Sequence, residues 1–324
     1  MAKRLLDIVI THYQEPREIV RPLLDILMAQ KCIDFQKFKV WWVQDGPTMS
    51  PFPEEGYFGE SPIQFEKIVI PHKGVSAARN AGMDRADAEW ICFCDCDDTF
   101  TGIYSLSSVF YILEQDPPYD LLWGSFWMDF PGEKTTPIVK GEYNHVWVHN
   151  KYYRLSFLRE KDIRFDEDVT FSEDSAFNNI VEVEAAGRIG QINTETPLYA
   201  WCRRLDSVSN DPKRYWRNVE AHYIRNVHLR NEFLRRGYRE RAKFVLIRTF
   251  TDAYAMLNKF PETEESKGIE EDVRRYYRGN LGAYGEIGEE LKKKAVEASE
   301  TEVGTFGVDI PGKPSFEDWM RHLA

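Results

Sequence analysis

Four short apolar runs in the N-terminal third of the chain each break into a polar cluster at the C-terminal end, and this pattern most constrains the fold. Leu5-Leu6-Asp7-Ile8-Val9-Ile10 runs into Thr11-His12-Tyr13-Gln14-Glu15, after which Glu15-Pro16 opens an amphipathic helix. Phe38 to Val43 ends at Gln44-Asp45-Gly46. Phe65 to Ile70 runs into a glycine-punctuated turn, His72-Lys73-Gly74, and a short helix bearing Arg79. Trp90-Ile91-Cys92-Phe93-Cys94 delivers Asp95-Cys96-Asp97-Asp98. Strands alternating with helices imply an α/β chain with a mostly parallel sheet, and in such sheets ligands bind outside the carboxyl ends of the strands. Residues far apart in sequence then line one crevice.

The acidic cluster is the most pointed of these strand ends. Hard divalent cations take oxygen ligands, and a nucleotide diphosphate needs such a cation to neutralise its charge. Taken alone, the cluster reads more readily as a polar turn capping the next helix, since Asp is common in turns and caps. Asp98 fits that role best, because Thr99 and a helix near Ile103 follow directly.

Six motifs occur in a telling order. Val9-Ile10-Thr11-His12-Tyr13 is followed by Gln44-Asp45-Gly46, then Lys73-Gly74-Val75-Ser76-Ala77-Ala78-Arg79-Asn80-Ala81-Gly82, then Asp95-Cys96-Asp97-Asp98. Further on stand Ser172-Glu173-Asp174 and the segment from Leu198 through Arg203-Arg204 to Ser209. Over about residues 4 to 210 this resembles the family 2 glycosyltransferases, whose GT-A fold is a Rossmann-like, mostly parallel sheet flanked by helices. The resemblance implies an inverting transfer of sugar from a nucleoside-diphosphate sugar, a UDP-sugar above all, to a hydroxyl acceptor in polysaccharide or glycoconjugate synthesis.

It also implies roles. Thr11, Tyr13 and Asp45 fall where the family holds base and ribose, with Glu15 beside them as a further donor-binding candidate; Arg79 can reach phosphate or the nucleobase edge, and Arg203 and Arg204, which are not family positions, can bind the diphosphate directly. Asp95 contacts ribose or the metal shell, Asp97 is the direct ligand of Mn²⁺ or Mg²⁺, and Asp174 is the base for the incoming hydroxyl. Each has a plainer alternative: a core tyrosine at position 13, a turn aspartate at 45, an Arg79–Asp95 salt bridge, and helix-dipole placement of Glu173 and Asp174. The chain departs from the family in His72, where Asn is usual, and in Arg203 and Arg204, where many members carry a metal-binding His.

Two rival functions differ from this one in residues the chain would need to lose or gain. A non-catalytic nucleotide-sugar binder would be marked by loss of Asp97 or Asp174, and both are present. A sugar nucleotidyltransferase needs a glycine-rich, basic loop after the first strand, and Thr11-His12-Tyr13-Gln14 has no glycine.

Composition narrows the class further. A net charge of −11 argues against a general nucleic-acid binder. No stretch reaches the ~18 apolar residues of a membrane span, and the interrupted N-terminal run is unlike a signal peptide, so the expectation is a soluble, cytoplasmic protein. Five cysteines suit a reducing compartment. Cys92, Cys94 and Cys96 do not read as a zinc site by themselves, because alternate strand residues stand ~6.8 Å apart while tetrahedral zinc needs sulfurs ~4 Å apart. They are expected to be buried thiols on the sheet face opposite Asp95 and Asp97.

The expected organisation is a catalytic domain over 1–210 and a mainly helical region over 211–324. Segments 212 to 236 and 238 to 260 have helical spacing, with Gly237 between them as a helix-ending glycine. From Lys213 to Arg248 there are eleven Lys or Arg against three Glu. Two readings of that excess stay open: peripheral contact of residues 213–248 with the inner face of the membrane or a lipid-diphosphate acceptor, or a solvated face paired with acidic protein surface. The remaining tail, with its Gly-rich segment 279 to 288, is expected to be peripheral and partly mobile. Trp123, Phe126, Trp127 and Trp147 read either as core or as a stacking surface for acceptor sugars.

Overall fold

The computed structural model describes residues 4–47, 53, 57–59, 61–129, 136–137, 145–202, 212–260, 262–303 and 314–324. The chain divides into two compact units, Met1–Ser207 and Val208–Ala324. No helix among the described residues is long and apolar enough to cross a membrane.

The first unit begins as its apolar runs predict. The strands are β1 (Leu6–His12), β2 (Phe38–Asp45), β3 (Gln64–Ile70) and β4 (Trp90–Asp95), with helices α1 (Arg17–Met28) after β1 and α2 (Val75–Arg85) after β3. Then come β5 (Thr99–Phe100), α3 (Ser105–Leu113), β6 (Leu121–Gly124), β7 (Phe126–Asp129), β8 (Thr136–Pro137), β9 (Lys151–Arg154) and α4 (Leu155–Glu160). Helix α5 (Glu173–Ala185) and strands β10 (Ile189–Ile192) and β11 (Tyr199–Cys202) complete the unit.

Seven strands form one sheet in the order β10-β6-β9-β4-β1-β2-β3. Strands β3, β2, β1 and β4 run parallel, as do β6 and β10, while β9 lies antiparallel between β4 and β6. This is the GT-A arrangement. A second sheet, β5-β11-β7-β8, was not anticipated.

Strand alternation sorts the side chains between two cores. Ile8, Ile10, Cys92 and Cys94 join Leu23, Leu24 and Leu27 of α1 and Val109 and Phe110 of α3 in one buried cluster. The three thiols of β4 and its exit are buried there as expected, and burial pushes all three well above their usual range. The other face carries Val9, Phe93 and Asp95. Gly82 of α2 lies so close to Val9 that an added Cβ would fall 2.4 Å from its side chain, which is why only glycine lets α2 approach β1. Phe93 packs on Phe165, which stacks on Phe177 of α5 at 4.0 Å. Helices α2 and α5 therefore cover the face on which Asp95 stands.

The second unit is helical. It contains α6 (Tyr215–Arg235), α7 (Arg239–Leu257), α8 (Glu264–Gly279), α9 (Leu281–Gly285), α10 (Glu289–Val303) and α11 (Phe316–Leu323). Gly237 takes φ +84° between α6 and α7, the left-handed turn expected of it. The tail corrects the sequence reading. Val273, Tyr277, Ile287, Ala295, Trp319 and Leu323 are buried with Ile247 and Phe250 of α7 in one core, so these helices are integral to the unit. The amphipathic face of α8 was masked by its charged residues.

Much of the basic excess is also neutralised locally. Arg248 and His222 converge on buried Asp252, while Arg235 and Arg236 pair with Glu232, and Lys243 with Glu240.

Candidate active site

Parallel pairing sets the first contact. Thr11 and Asp95 are register partners at the ends of β1 and β4, and the Thr11 hydroxyl donates to Asp95 Oδ1 at 3.1 Å. Arg79, on the helix covering that face, donates to the same oxygen at 3.0 Å and to Glu173 Oε1 at 2.8 Å. Its guanidinium is 2% exposed and both terminal nitrogens are engaged, so the salt-bridge alternative for Arg79 describes these contacts better than direct reach to a phosphate. Burial alone would lower the Arg79 pKa, but the Asp95 and Glu173 charges raise it. Burial alone would raise Asp95, yet Arg79 and His149 hold it below the usual carboxylate range.

Asp45 closes the other side. Its Oδ1 accepts from the Lys73 N–H at 2.8 Å, and its Oδ2 accepts from the Gly74 N–H and the His72 ring, each at 2.9 Å. The carboxylate thus holds the turn that leads into α2. Gly46, at φ +89°, is required beside it: a Cβ there would meet His72 Cβ at 2.7 Å. His72 in turn stacks on Tyr13 at 4.2 Å, and Tyr13 is 39% exposed, so it is not a core tyrosine. Glu15 Oε2 accepts from the Tyr13 N–H at 2.8 Å, fixing the turn that presents the ring.

Asp97 is half-buried just beyond β4. Asp98 is not a helix cap. A strand, β5, intervenes before α3, and Asp98 is buried, accepting from Tyr199 Oη at 2.5 Å and the Cys202 N–H at 2.9 Å. It anchors β11 instead, and burial with the nearby Asp97 and Asp95 charges raises its pKa well above the usual range.

His149 was missed by the sequence reading. Strand β9 pairs Cys92 with Tyr152, and continuing that antiparallel register places His149 level with Asp95. Its ring stacks between Tyr199 and Trp201, each 5.4 Å away, and its Nδ1 is buried without a hydrogen bond, 3.4 Å from Asp98 Oδ2. Burial lowers it to about 4. Asp95, Asp98 and His149 bring one ligand atom each within 4.8 Å of one another. Carboxylates at the strand end and an orphaned imidazole nitrogen fit a divalent cation, so the donor set suits Mn²⁺ or Mg²⁺.

Glu173 and Asp174 open α5. Burial, then the adjacent Glu173 charge, push Asp174 up to about 7, against the pull of Arg79 and His149. Lys151 is buried with its ammonium donating to the Trp147 carbonyl, and burial lowers it to about 7 despite Asp174. Of the expected aromatic surface, Trp123 and Phe126 are core, while Trp147 is half-buried against Phe126 and Trp201. Arg203 and Arg204 lie outside the described residues.

The seven-stranded, mostly parallel sheet flanked by helices, with Asp45 and Asp95 at its strand ends, defines a class, the GT-A folds. Residues 7–179 match the profile of glycosyl transferase family 2, more than half of the chain, and the protein belongs to that family. A curated relative, the uncharacterised glycosyltransferase EpsJ of Bacillus subtilis (strain 168), is 25% identical over 233 residues, covering 64% of each chain. The chain thus spans a little under two thirds of that relative's length. The crystal structure of S. aureus TarS aligns with TM-score 0.54 and 16% identity over 90% of this chain and 55% of TarS. TarS 1–349 in complex with UDP-GlcNAc aligns with TM-score 0.53 and 16% identity, covering 91% of this chain and 90% of that one. At that identity the likeness is one of fold.

Proposed function

We propose that this protein is an inverting glycosyltransferase that moves a sugar from a nucleoside-diphosphate sugar, a UDP-sugar, to a hydroxyl acceptor in polysaccharide or glycoconjugate synthesis. The observation that carries the reading is Asp174: a carboxylate raised to about 7 in the first turn of α5, within electrostatic reach of Asp95 and Arg79. A general base works best when its pKa lies near the working pH.

The residues divide the labour. Tyr13 offers its exposed ring to the base, and Asp45 holds the 72–74 turn on the opposite side while Thr11 and Asp95 face the ribose and Glu15 fixes the turn that presents Tyr13 to the donor. Arg79 acts through Asp95, which it helps keep ionised in a buried setting, and pairs with Glu173 at the start of α5. Arg203 and Arg204 are assigned to the diphosphate. Asp97 and Asp95 would hold Mn²⁺ or Mg²⁺, with Asp98 and His149 the donors that converge on Asp95, and the ion when bound would neutralise the diphosphate leaving group. Asp174 accepts the proton of the acceptor hydroxyl as its oxygen attacks the anomeric carbon opposite the departing diphosphate, so the configuration inverts. TarS, bound to UDP-GlcNAc, supports a uridine donor.

The catalytic machinery is assigned to residues 1–210 and acceptor handling to 211–324. The exposed part of the basic stretch 213–248 is the proposed contact with an anionic membrane surface.

The test is a screen of nucleotide sugars scored by released nucleoside diphosphate. Release of UDP from a UDP-sugar supports the reading. Consumption of UTP with release of pyrophosphate overturns it in favour of nucleotidyl transfer, and UDP-sugar binding without turnover overturns it in favour of a binding protein.

A further inference from the structure

The turn that leaves β1 carries a second cluster, separate from the acidic turn. One atom each of His12, Glu15 and Cys96 lies within 4.8 Å of the others. His12 and Cys96 are each 2% exposed. The hydrogen-bond pattern around His12 determines what the cluster can hold. The Gln44 amide directs its N–H₂ toward the Tyr13 carbonyl at 3.4 Å, so its Oε1 is the atom 2.5 Å from His12 Nδ1. In this amide orientation Nδ1 carries the proton and donates. The other nitrogen, Nε2, then presents its lone pair to the Glu15 carbonyl at 2.9 Å and to Glu15 Oε2 at 3.8 Å. A lone pair facing two oxygens and a sulfur is repulsive unless a second ring proton or a cation sits among them.

We propose that His12 Nε2, Cys96 Sγ and the Glu15 carboxylate form a binding site for a borderline-soft divalent cation of the zinc class, distinct from the hard-cation site at Asp97. Tetrahedral zinc with nitrogen and oxygen at ~2.0–2.2 Å and sulfur at ~2.3 Å places its ligands ~3.3–3.8 Å apart. The 3.8 Å between Nε2 and Oε2 already meets that spacing, and Cys96 needs a shift of about 1 Å at most. The surroundings match those of a metal site: Gln44 fixes the imidazole tautomer, and the Tyr13 N–H orients the carboxylate. The Glu15 carbonyl or a water completes the shell. On binding, the sulfur–metal bond forms as the Cys96 proton is released to solvent. Thiolate and imidazole together select zinc over Mn²⁺ or Mg²⁺. The cation would clip the exit of β1, which presents Tyr13, to the exit of β4.

The full chain, stripped with a chelator and titrated with Co²⁺, tests this. A single equivalent should produce a thiolate-to-cobalt charge-transfer band that Zn²⁺ displaces and Cys96→Ser abolishes. Cobalt held by carboxylates at Asp97 gives no such band. Gln44→Met, which leaves every ligand in place, should weaken cobalt binding by about 10- to 100-fold. Absence of the band in the wild-type chain, or its persistence in Cys96→Ser, overturns the site. Should Cys96→Ser fail to fold, undiminished affinity in Gln44→Met overturns it independently.

Discussion

Asp174 makes the sharpest prediction, because its environment fixes both a rate and a pH. A base raised to about 7 is half ionised there, and only the ionised form can accept the acceptor proton. Transfer should be flat at higher pH and fall by about tenfold for each pH unit below 7, leaving roughly a tenth of the maximal rate near pH 6 and a hundredth near pH 5. Asp174→Asn should remove about 10² or more of the rate across the range while donor affinity, read by calorimetry with UDP, is nearly unchanged. Glu173→Gln supplies the internal control. The Glu173 charge is a cause of the raised value, so its removal should move the acid limb to lower pH and cost far less than loss of Asp174. The assay is initial-rate UDP release with the acceptor, or with water in slow hydrolysis, over about pH 5 to 9. A pH-independent rate, near-full transfer by Asp174→Asn, or loss of UDP binding as severe as the loss of turnover would each refute the assignment. Glu167 and Asp168 would then be the next candidates.

Arg79→Met should shift the same limb the opposite way, to higher pH, since the guanidinium pulls Asp174 down; leaving Asp95 and Glu173 unpaired should also cost about 3–5 kcal/mol by denaturant titration. Asp97→Ala should abolish turnover and remove the gain in melting temperature that Mn²⁺ gives together with UDP; retained activity sinks its role as a ligand. Gly46→Ala should destabilise by about 1–3 kcal/mol, because it meets His72 and takes a left-handed φ, and a neutral effect would refute the tight turn. Deleting residues from about 212 onward should spare donor hydrolysis and remove transfer, as measured by product formation; an insoluble truncation would show instead that the helices serve folding.

The parallel half of the sheet was legible because each strand is a short apolar run that ends abruptly at polar residues, and because Gly74 punctuates the turn into α2. The second sheet was not. A two-residue strand such as β5 and a four-residue one such as β7 carry too little periodicity to announce themselves. Asp98 was misread for a related reason: local context favours a cap, whereas its actual partner, Tyr199, lies 101 residues away. His149 reaches Asp95 only through the register of β9, which no local pattern encodes. Asp45 and Arg79 were identified as site residues, but a sequence shows residue type and not which lone pairs or N–H groups are already taken. The C-terminal core was obscured because α8 keeps its apolar residues on one narrow face among many charges, and a glycine-rich stretch after it suggested looseness.

The lone reversed strand, β9, has a consequence for how such a molecule can diversify. At the rim where the parallel strands end, β9 begins, so the crevice wall beside Asp95 is built from residues that precede a strand, while the opposite wall is built from residues that follow strands. Insertions ahead of His145 can lengthen one wall while leaving the pairing of β9 and the packing of His149 on Tyr199 and Trp201 in place. The two walls can then diversify separately, one by changes that follow strands and the other by changes that precede one.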